Sequence, residues 1–179
     1  ARVPTGSTPR AEATVPSSAR ISVVLVSPEI PQNTGSIART CAAIGARLHL
    51  VHPLGFSLDD RYLKRAGLDY WPHVDLVEHR SWEDLLGATA DARRLLFSAR
   101  STRPYTQARY APGDQLVFGC ETRGLPVSLL EEHRDDTYVI PIFRPHVRSL
   151  NLSNAVAIVA YEALRQLGDL EPSPDGAEH

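Results

Sequence analysis

The stretch IPIFRPHVRSLNLSNAVAIVAYEA, Ile140 to Ala163, decides how this chain is read. A β-branched strand runs into a short Arg/Ser/Asn loop, which in turn opens a helix rich in small residues. A helix start carries four backbone N–H groups without intrahelical partners and the positive end of the helix dipole. Ser149, Asn151 and Ser153 add hydroxyl and amide groups at that point. The combination suits an anionic or carbonyl-rich ligand. A plain N-cap role accounts for an isolated Ser-x-Asn equally well, so two further segments carry the decision.

The first is PEIPQNTGSIARTCAAIG, Pro28 to Gly45, which follows the strand ISVVLVS and opens a helix expected near residues 34–45. Asn33, Thr34 and Gly35 offer an amide, a hydroxyl and an unobstructed backbone just beyond the carboxyl end of a strand. That is where open α/β sheets hold their ligands. Arg39 lies one turn after Gly35, so it projects from the side of the loop while Ile37, Cys41 and Ile44 face the core. A guanidinium there suits a phosphate; a surface arginine is the plainer alternative.

The second is LVFGCETRGLPVSLL, residues 116–130, read as an apolar strand, a tight loop and a helix beginning near Pro126. Gly119 and Gly124 permit close backbone approach or positive φ. A generic turn explains the glycines, but less readily the packing of Glu121, Arg123 and Gly124 into one loop.

In chain order, NTGSIAR (33–39), FGCETRGLP (118–126) and RSLNLSNA (148–155) resemble the three motifs of the SpoU-type branch of the SPOUT RNA methyltransferases. Specifically, the chain looks like the small single-domain members that methylate the ribose 2′-oxygen of the wobble nucleotide, position 34 of tRNA. The likeness spans about residues 21–168 and includes GFSLDDRYLKRAGLDYW, residues 55–71. Two departures stand out: Ser36, where relatives commonly carry Asn, and a longer loop, FRPHVR, before Ser149.

Composition agrees with a compact enzyme. The chain has 179 residues, 42% of them hydrophobic, enough for one domain with a substantial core. The expected domain is 20–168, with flexible tails at 1–19 and 169–179. No apolar run approaches the roughly 20 residues of a membrane span, and the first residues lack the apolar core of a secretory signal. Cys41 and Cys120 are too few and too far apart for a disulfide framework or a zinc site. A reduced, cytoplasmic protein is expected. The formal net charge of −2 means that RNA binding needs a local patch. The cations are arginines apart from Lys64; Arg61, Lys64 and Arg65 cluster on one helix, and Arg100, Arg103 and Arg109 in a loop region.

Strands are expected near 21–27, 47–52, 74–78, 94–98, 115–119 and 137–142, with further helices near 58–66, 82–87, 126–133 and 152–167. Such alternation means a parallel α/β sheet. Ser81 with Asp84 resembles a capping box, and Gly168 stops the last helix. The family resemblance adds what periodicity cannot: a deep C-terminal trefoil knot in this single-domain α/β fold.

The resemblance also implies S-adenosylmethionine as methyl donor, bound bent and released as S-adenosylhomocysteine, without a metal. Ala99, Gly119, Ile140, Ser149 and Leu150 map around that cofactor, where Ile140 and Leu150 offer apolar walls and Gly119 admits the ligand without a clash. Arg39, Ser149 and Asn151 map to the catalytic positions, and Asn33, Thr34, Gly35 and Glu121 to loop or RNA support, with Glu121 orienting Arg39. A guanidinium keeps its proton at neutral pH, so holding phosphate and stabilising alkoxide charge is the easier role for Arg39. His146 is an alternative base, histidine being the side chain that titrates near neutrality. The implied partners are the tRNA anticodon stem-loop and a second copy of the chain. The broad apolar arc of the last helix, from Ala155 to Leu164, fits a homodimer. Two other readings are a ribosomal RNA 2′-O-methyltransferase and a non-catalytic RNA-binding module. A dinucleotide oxidoreductase fits less well, because no G-x-G-x-x-G follows the first strand.

Overall fold

Valine, isoleucine and leucine dominate the central strands, as in ISVVLV, RLHLV and RLLF, the pattern of a parallel sheet covered on both faces. The computed structural model, which describes residues 20–66 and 69–170, contains that sheet. Its strands are β1 (Ile21–Val26), β2 (Arg47–Val51), β3 (Leu76–His79), β4 (Arg94–Phe97), β5 (Asp114–Phe118) and β6 (Thr137–Tyr138). They lie in the order β3-β2-β1-β5-β4-β6, and every pair is parallel. The longer helices are α1 (Pro31–Ile44), α2 (Arg61–Ala66), α3 (Trp82–Ala88), α4 (Val127–Glu132) and α5 (Leu152–Leu167).

The two-residue period of the strands divides the core. Val23, Leu25, Leu48, Leu50, Leu95, Phe97, Leu116 and Phe118 face α1 and α5, meeting Ile37, Cys41, Val156, Val159, Ala160 and Ala163. Val24, Val26, Val51, Leu96 and Val117 face the other way, onto Leu85 of α3 and Leu125 and Leu129 at α4. Each fully buried Leu or Val contributes about 1.5–3 kcal/mol. On α5, Ile158 and Tyr161 stay exposed while Val156, Val159, Ala160 and Ala163 are buried. The apolar arc is therefore wider than the buried face of the helix. No helix among the described residues is long and apolar enough to cross a membrane.

Several boundaries differ from those expected. α1 begins at Pro31 rather than residue 34, with Ile30 as an extended N-cap that offers no side-chain cap. Asn33, Thr34 and Gly35 therefore belong to the start of the helix instead of a loop, and all are buried. β6 closes after two residues, followed by a single bridge from Val139 to Pro104. Pro141 has no N–H to extend the ladder. The Ser81 cap forms as expected, accepting the Asp84 N–H at 3.1 Å, but Asp84 reaches back to the Arg80 N–H at 3.2 Å. Gly45 and Gly168 end α1 and α5 in the left-handed region. Residues 1–19 and 171–179 of the expected tails lie outside the described residues. Asp169, placed in the tail by the sequence reading, pairs with Arg20.

Candidate active site

All six strands run the same way, so the loops after β1, β4, β5 and β6 converge on one edge of the sheet. A cleft of about 570 Å³ lies there. Its walls come from Ile30 and Asn33, Ser98 to Arg100, Phe118 to Gly124, Val139, Ile140 and Ile142, and Arg148 to Leu152. This is the carboxyl-end position at which open α/β sheets bind ligands.

The loop after β5 holds the start of α1. The Glu121 carboxylate accepts the backbone N–H of Glu29 at 2.7 Å and of Ile30 at 3.2 Å, and the Asn33 side-chain amide at 3.4 Å. A carboxylate at this end also meets the positive pole of the helix. Asn33 Oδ1 then accepts from Asn151 Nδ2 at 3.0 Å. Asn151 Oδ1 caps α5, accepting the Ser153 N–H at 2.9 Å and the Asn154 N–H at 3.4 Å. Glu121, Asn33 and Asn151 thus join the three sequence motifs through one chain of hydrogen bonds. A second tie runs from the Thr122 hydroxyl to Glu29 at 2.7 Å. Hydrogen bonds from Cys120 and Thr122 hold the Glu29 carboxyl below the usual carboxylate range.

Gly119 is required by the chain's own backbone. A Cβ there would lie 2.0 Å from the Gly124 carbonyl carbon and 2.2 Å from the Leu125 nitrogen. Cys120 and Gly124 form an antiparallel bridge, and Gly124 turns the loop at φ 68°. The expected ligand approach at Gly119 is thus corrected in part: the residue lines the cleft, but the space at its Cα is filled by Gly124 and Leu125. Gly55, unremarked in the sequence, backs the same region, since a Cβ would meet the Glu29 Cα at 2.7 Å. Ser27, also missed, leaves β1 at φ 53°, a strained conformation for a non-glycine residue.

Of the site residues expected from the sequence, Asn33, Ala99, Gly119, Glu121, Ile140, Ser149, Leu150 and Asn151 line the cleft together. Thr34 and Gly35 do not: both are buried in α1, and Thr34 Oγ1 has no hydrogen-bond partner. Arg39 does not line it either. Its guanidinium sits 4.9 Å over the Tyr70 ring, and Glu121, expected to orient Arg39, instead holds the start of α1. Gly35 and Arg39 still lie four residues apart on α1, but Gly35 is buried while Arg39 is exposed. His146 is exposed and outside the cleft. Arg100 reaches the cleft wall, whereas Arg103 is turned to the Arg134 carbonyl at 3.0 Å and the Tyr138 ring at 4.8 Å. Arg123, noted in the sequence for its place in the motif 2 loop, lines the cleft, as do Ile142 and Arg148, which were not singled out; the closeness of those two to motif 3 was the signal.

Known proteins resemble this chain in sequence and fold. A methyltransferase of Burkholderia ambifaria, named tRNA (cytidine(34)-2'-O)-methyltransferase, is 49% identical over 148 residues, covering 82% of this chain and 95% of its own. A solved structure described under 2-OH methylation of C/U34 on tRNA superposes with a TM-score of 0.78 at 54% identity, covering 83% of this chain and 96% of its own. An AdoMet-bound rRNA methyltransferase from Sinorhizobium meliloti superposes with a TM-score of 0.75 at 26% identity, covering 85% of this chain and 58% of its own. The family model described as SpoU rRNA Methylase matches residues 20–161. With its parallel sheet, its three motifs joined at one cleft and these relatives, the chain belongs to the SpoU rRNA Methylase family.

Proposed function

We propose that this protein methylates the ribose 2′-oxygen of the wobble nucleotide, position 34, of tRNA, using S-adenosylmethionine. The carrying observation is the cleft where motifs 1, 2 and 3 are hydrogen-bonded together, in a chain 49% identical to a named position-34 enzyme. A ribosomal RNA substrate has weaker support, because the rRNA methyltransferase relative is 26% identical.

The cleft fits the cofactor. Its volume lies within the range of small-molecule sites, about 300–1,000 Å³. Ile140, Leu150 and Leu152 give apolar wall for an adenine, with peptide groups of the Gly119–Gly124 loop at its edge. Ser149 and Arg100 give polar groups for a ribose or an amino-acid carboxylate. Ala99, Gly119, Ile140, Ser149 and Leu150 hold the cofactor in this reading, and S-adenosylhomocysteine is the product. When bound, the sulfonium supplies an already activated methyl group, so the reaction requires no metal.

The protein's part is orientation and charge. In-line attack by a 2′-oxygen demands that the ribose be fixed; Ser149 and Asn151 serve this end, with Asn151 itself locked by Asn33 and by its cap on α5. Arg39 binds the target phosphate and stabilises alkoxide charge. Since Arg39 lies outside its own protomer's cleft, the reading includes a homodimer in which Arg39 serves the partner's cleft. The exposed Ile158 and Tyr161 on α5 fit such an interface. It also includes a trefoil knot, with α5 drawn through the motif 2 and motif 3 loops, and action in the cytoplasm on the anticodon stem-loop.

The test is transfer of labelled methyl from S-adenosylmethionine to total tRNA from a strain lacking the activity, with nucleoside mapping. Label on the ribose of position 34 is expected. Label confined to ribosomal RNA would move the substrate, and no transfer to either RNA would leave an RNA-binding module.

A further inference from the structure

The loop after β6 leaves the cleft and returns to it. Ile142 and Arg148 line the cleft, and the intervening FRPHV, residues 143–147, stands in solvent. Phe143 is 89% exposed, by far the highest value among the exposed large hydrophobic residues. A single exposed apolar residue is ordinary, so its neighbours decide its meaning. The Val147 N–H donates to the Arg144 carbonyl at 3.3 Å, and Pro145 occupies the second position of that turn, where its fixed φ is favoured. Phe143 therefore immediately precedes a defined turn beside the cleft.

The surroundings are cationic. Arg144 follows Phe143 directly, and Arg100, Arg123 and Arg148 line the adjoining cleft. Arg100, Arg144 and Arg148 take part in none of the ion pairs formed among the described residues. From Val139 to Asn151 there is no carboxylate. Glu121 also lines the cleft and Glu29 faces Arg123, but the charged residues of the Phe143 loop itself are all arginines, a local positive charge beside one solvent-facing aromatic ring in a chain whose net charge is −2.

We infer that Phe143 is the stacking platform for an unpaired nucleobase of the RNA substrate beside the target nucleotide, with Arg144 and Arg148 on the flanking phosphates. An aromatic face bordered by guanidinium groups matches a splayed single-stranded nucleotide, whose base offers a π-face and whose backbone is anionic. A protein surface would need acidic groups to match the arginines and an apolar pocket to take the ring. The inference rests on the proposed function, since the RNA is that of the methylation reaction. It assigns to the longer loop noted in the sequence a role in holding RNA.

The experiment compares the full-length wild type with Phe143→Ala and Phe143→Trp. It measures steady-state methylation of tRNA, S-adenosylhomocysteine affinity, sedimentation, and fluorescence of an anticodon stem-loop RNA carrying 2-aminopurine next to the target. Phe143→Ala should raise KM for tRNA about ten-fold, as loss of one base–aromatic stack does, with kcat changed by less than about two-fold. It should also abolish the quenching of 2-aminopurine that the wild type produces, and Phe143→Trp should restore both. Cofactor affinity and sedimentation should not change. An unchanged KM and unchanged quenching overturn the inference while leaving the methyltransferase reading intact. Dissociation of a dimer by Phe143→Ala would overturn it in favour of a contact between copies. A wild type that methylates no RNA overturns both readings.

Discussion

Asn151 Nδ2 donates to Asn33 Oδ1 at 3.0 Å, joining residues 118 apart in the chain. Each asparagine has a second obligation: Asn33 Nδ2 donates to Glu121, and Asn151 Oδ1 caps α5. Because an amide has one acceptor and one donor end, each residue is fixed in one orientation by its two partners. Asn33→Asp replaces the donor to Glu121 with a second carboxylate. It should lower stability by about 1–3 kcal/mol and weaken S-adenosylhomocysteine binding; denaturant unfolding and calorimetry measure the two effects. Wild-type values for both would show that the link is incidental.

Glu121 acts across 91 residues as the cap that Ile30 cannot provide. Glu121→Ala strands two backbone donors and one amide, for an expected loss of about 2 kcal/mol. Glu121→Gln keeps an acceptor and should lose about half as much. Equal losses in the two variants would remove the hydrogen-bonding account.

Gly119→Ala places a carbon 2.0 Å from backbone that has no room to retreat. It should cost more than about 4 kcal/mol, in the exceptional range for single substitutions. Thermal unfolding decides this, and a melting temperature within a few degrees of wild type would contradict the packing described.

Arg39 separates stability from chemistry. Its contact with the Tyr70 ring at 4.9 Å is exposed and worth about 0.5–1 kcal/mol. Arg39→Ala should leave folding and S-adenosylhomocysteine affinity nearly intact while lowering methyl transfer by about 10²–10³-fold. Wild-type turnover would remove Arg39 from the mechanism.

His49 and His79 form a buried pair on β2 and β3, with Nδ1 of one and Nε2 of the other 2.9 Å apart. Burial, reinforced for His49 by His79 and by Arg47 and Arg94 against Asp75, lowers His49 to about 4. Burial also lowers His79, opposed by Asp84. Both folded values lie below the ordinary 6.5, so the unfolded chain binds more protons as pH falls. Stability is therefore full above about 6.5 and declines toward about 4, by on the order of 3 kcal/mol for His49. Denaturant unfolding at about pH 7 and about pH 4.5 should show a smaller difference for His49→Gln than for wild type. Parallel declines would contradict the assignment.

The sheet was legible in the sequence because fully buried parallel strands read as apolar runs, and β1, β2, β4 and β5 fall within a residue or two of their expected bounds. The start of α1 was not, because its cap comes from Glu121 through space while Ile30 gives no local signal. Eight of the expected site residues line one cleft, since motif order and strand ends determine where loops gather. Thr34, Gly35 and Arg39 lie on α1 outside that cleft; four-residue spacing gives a shared helix face but not which neighbour that face meets. The glycines show the limit of composition: Gly119 and Gly55 accommodate the chain's own backbone, a requirement invisible without the fold.

The most direct measurement uses two tRNA molecules identical except for a single 2′-deoxyribose at position 34. With labelled S-adenosylmethionine, the all-ribose molecule should accept one methyl group and the deoxy molecule none. Equal labelling of both would contradict the assignment of the acceptor atom, and with it the account of what this cleft does.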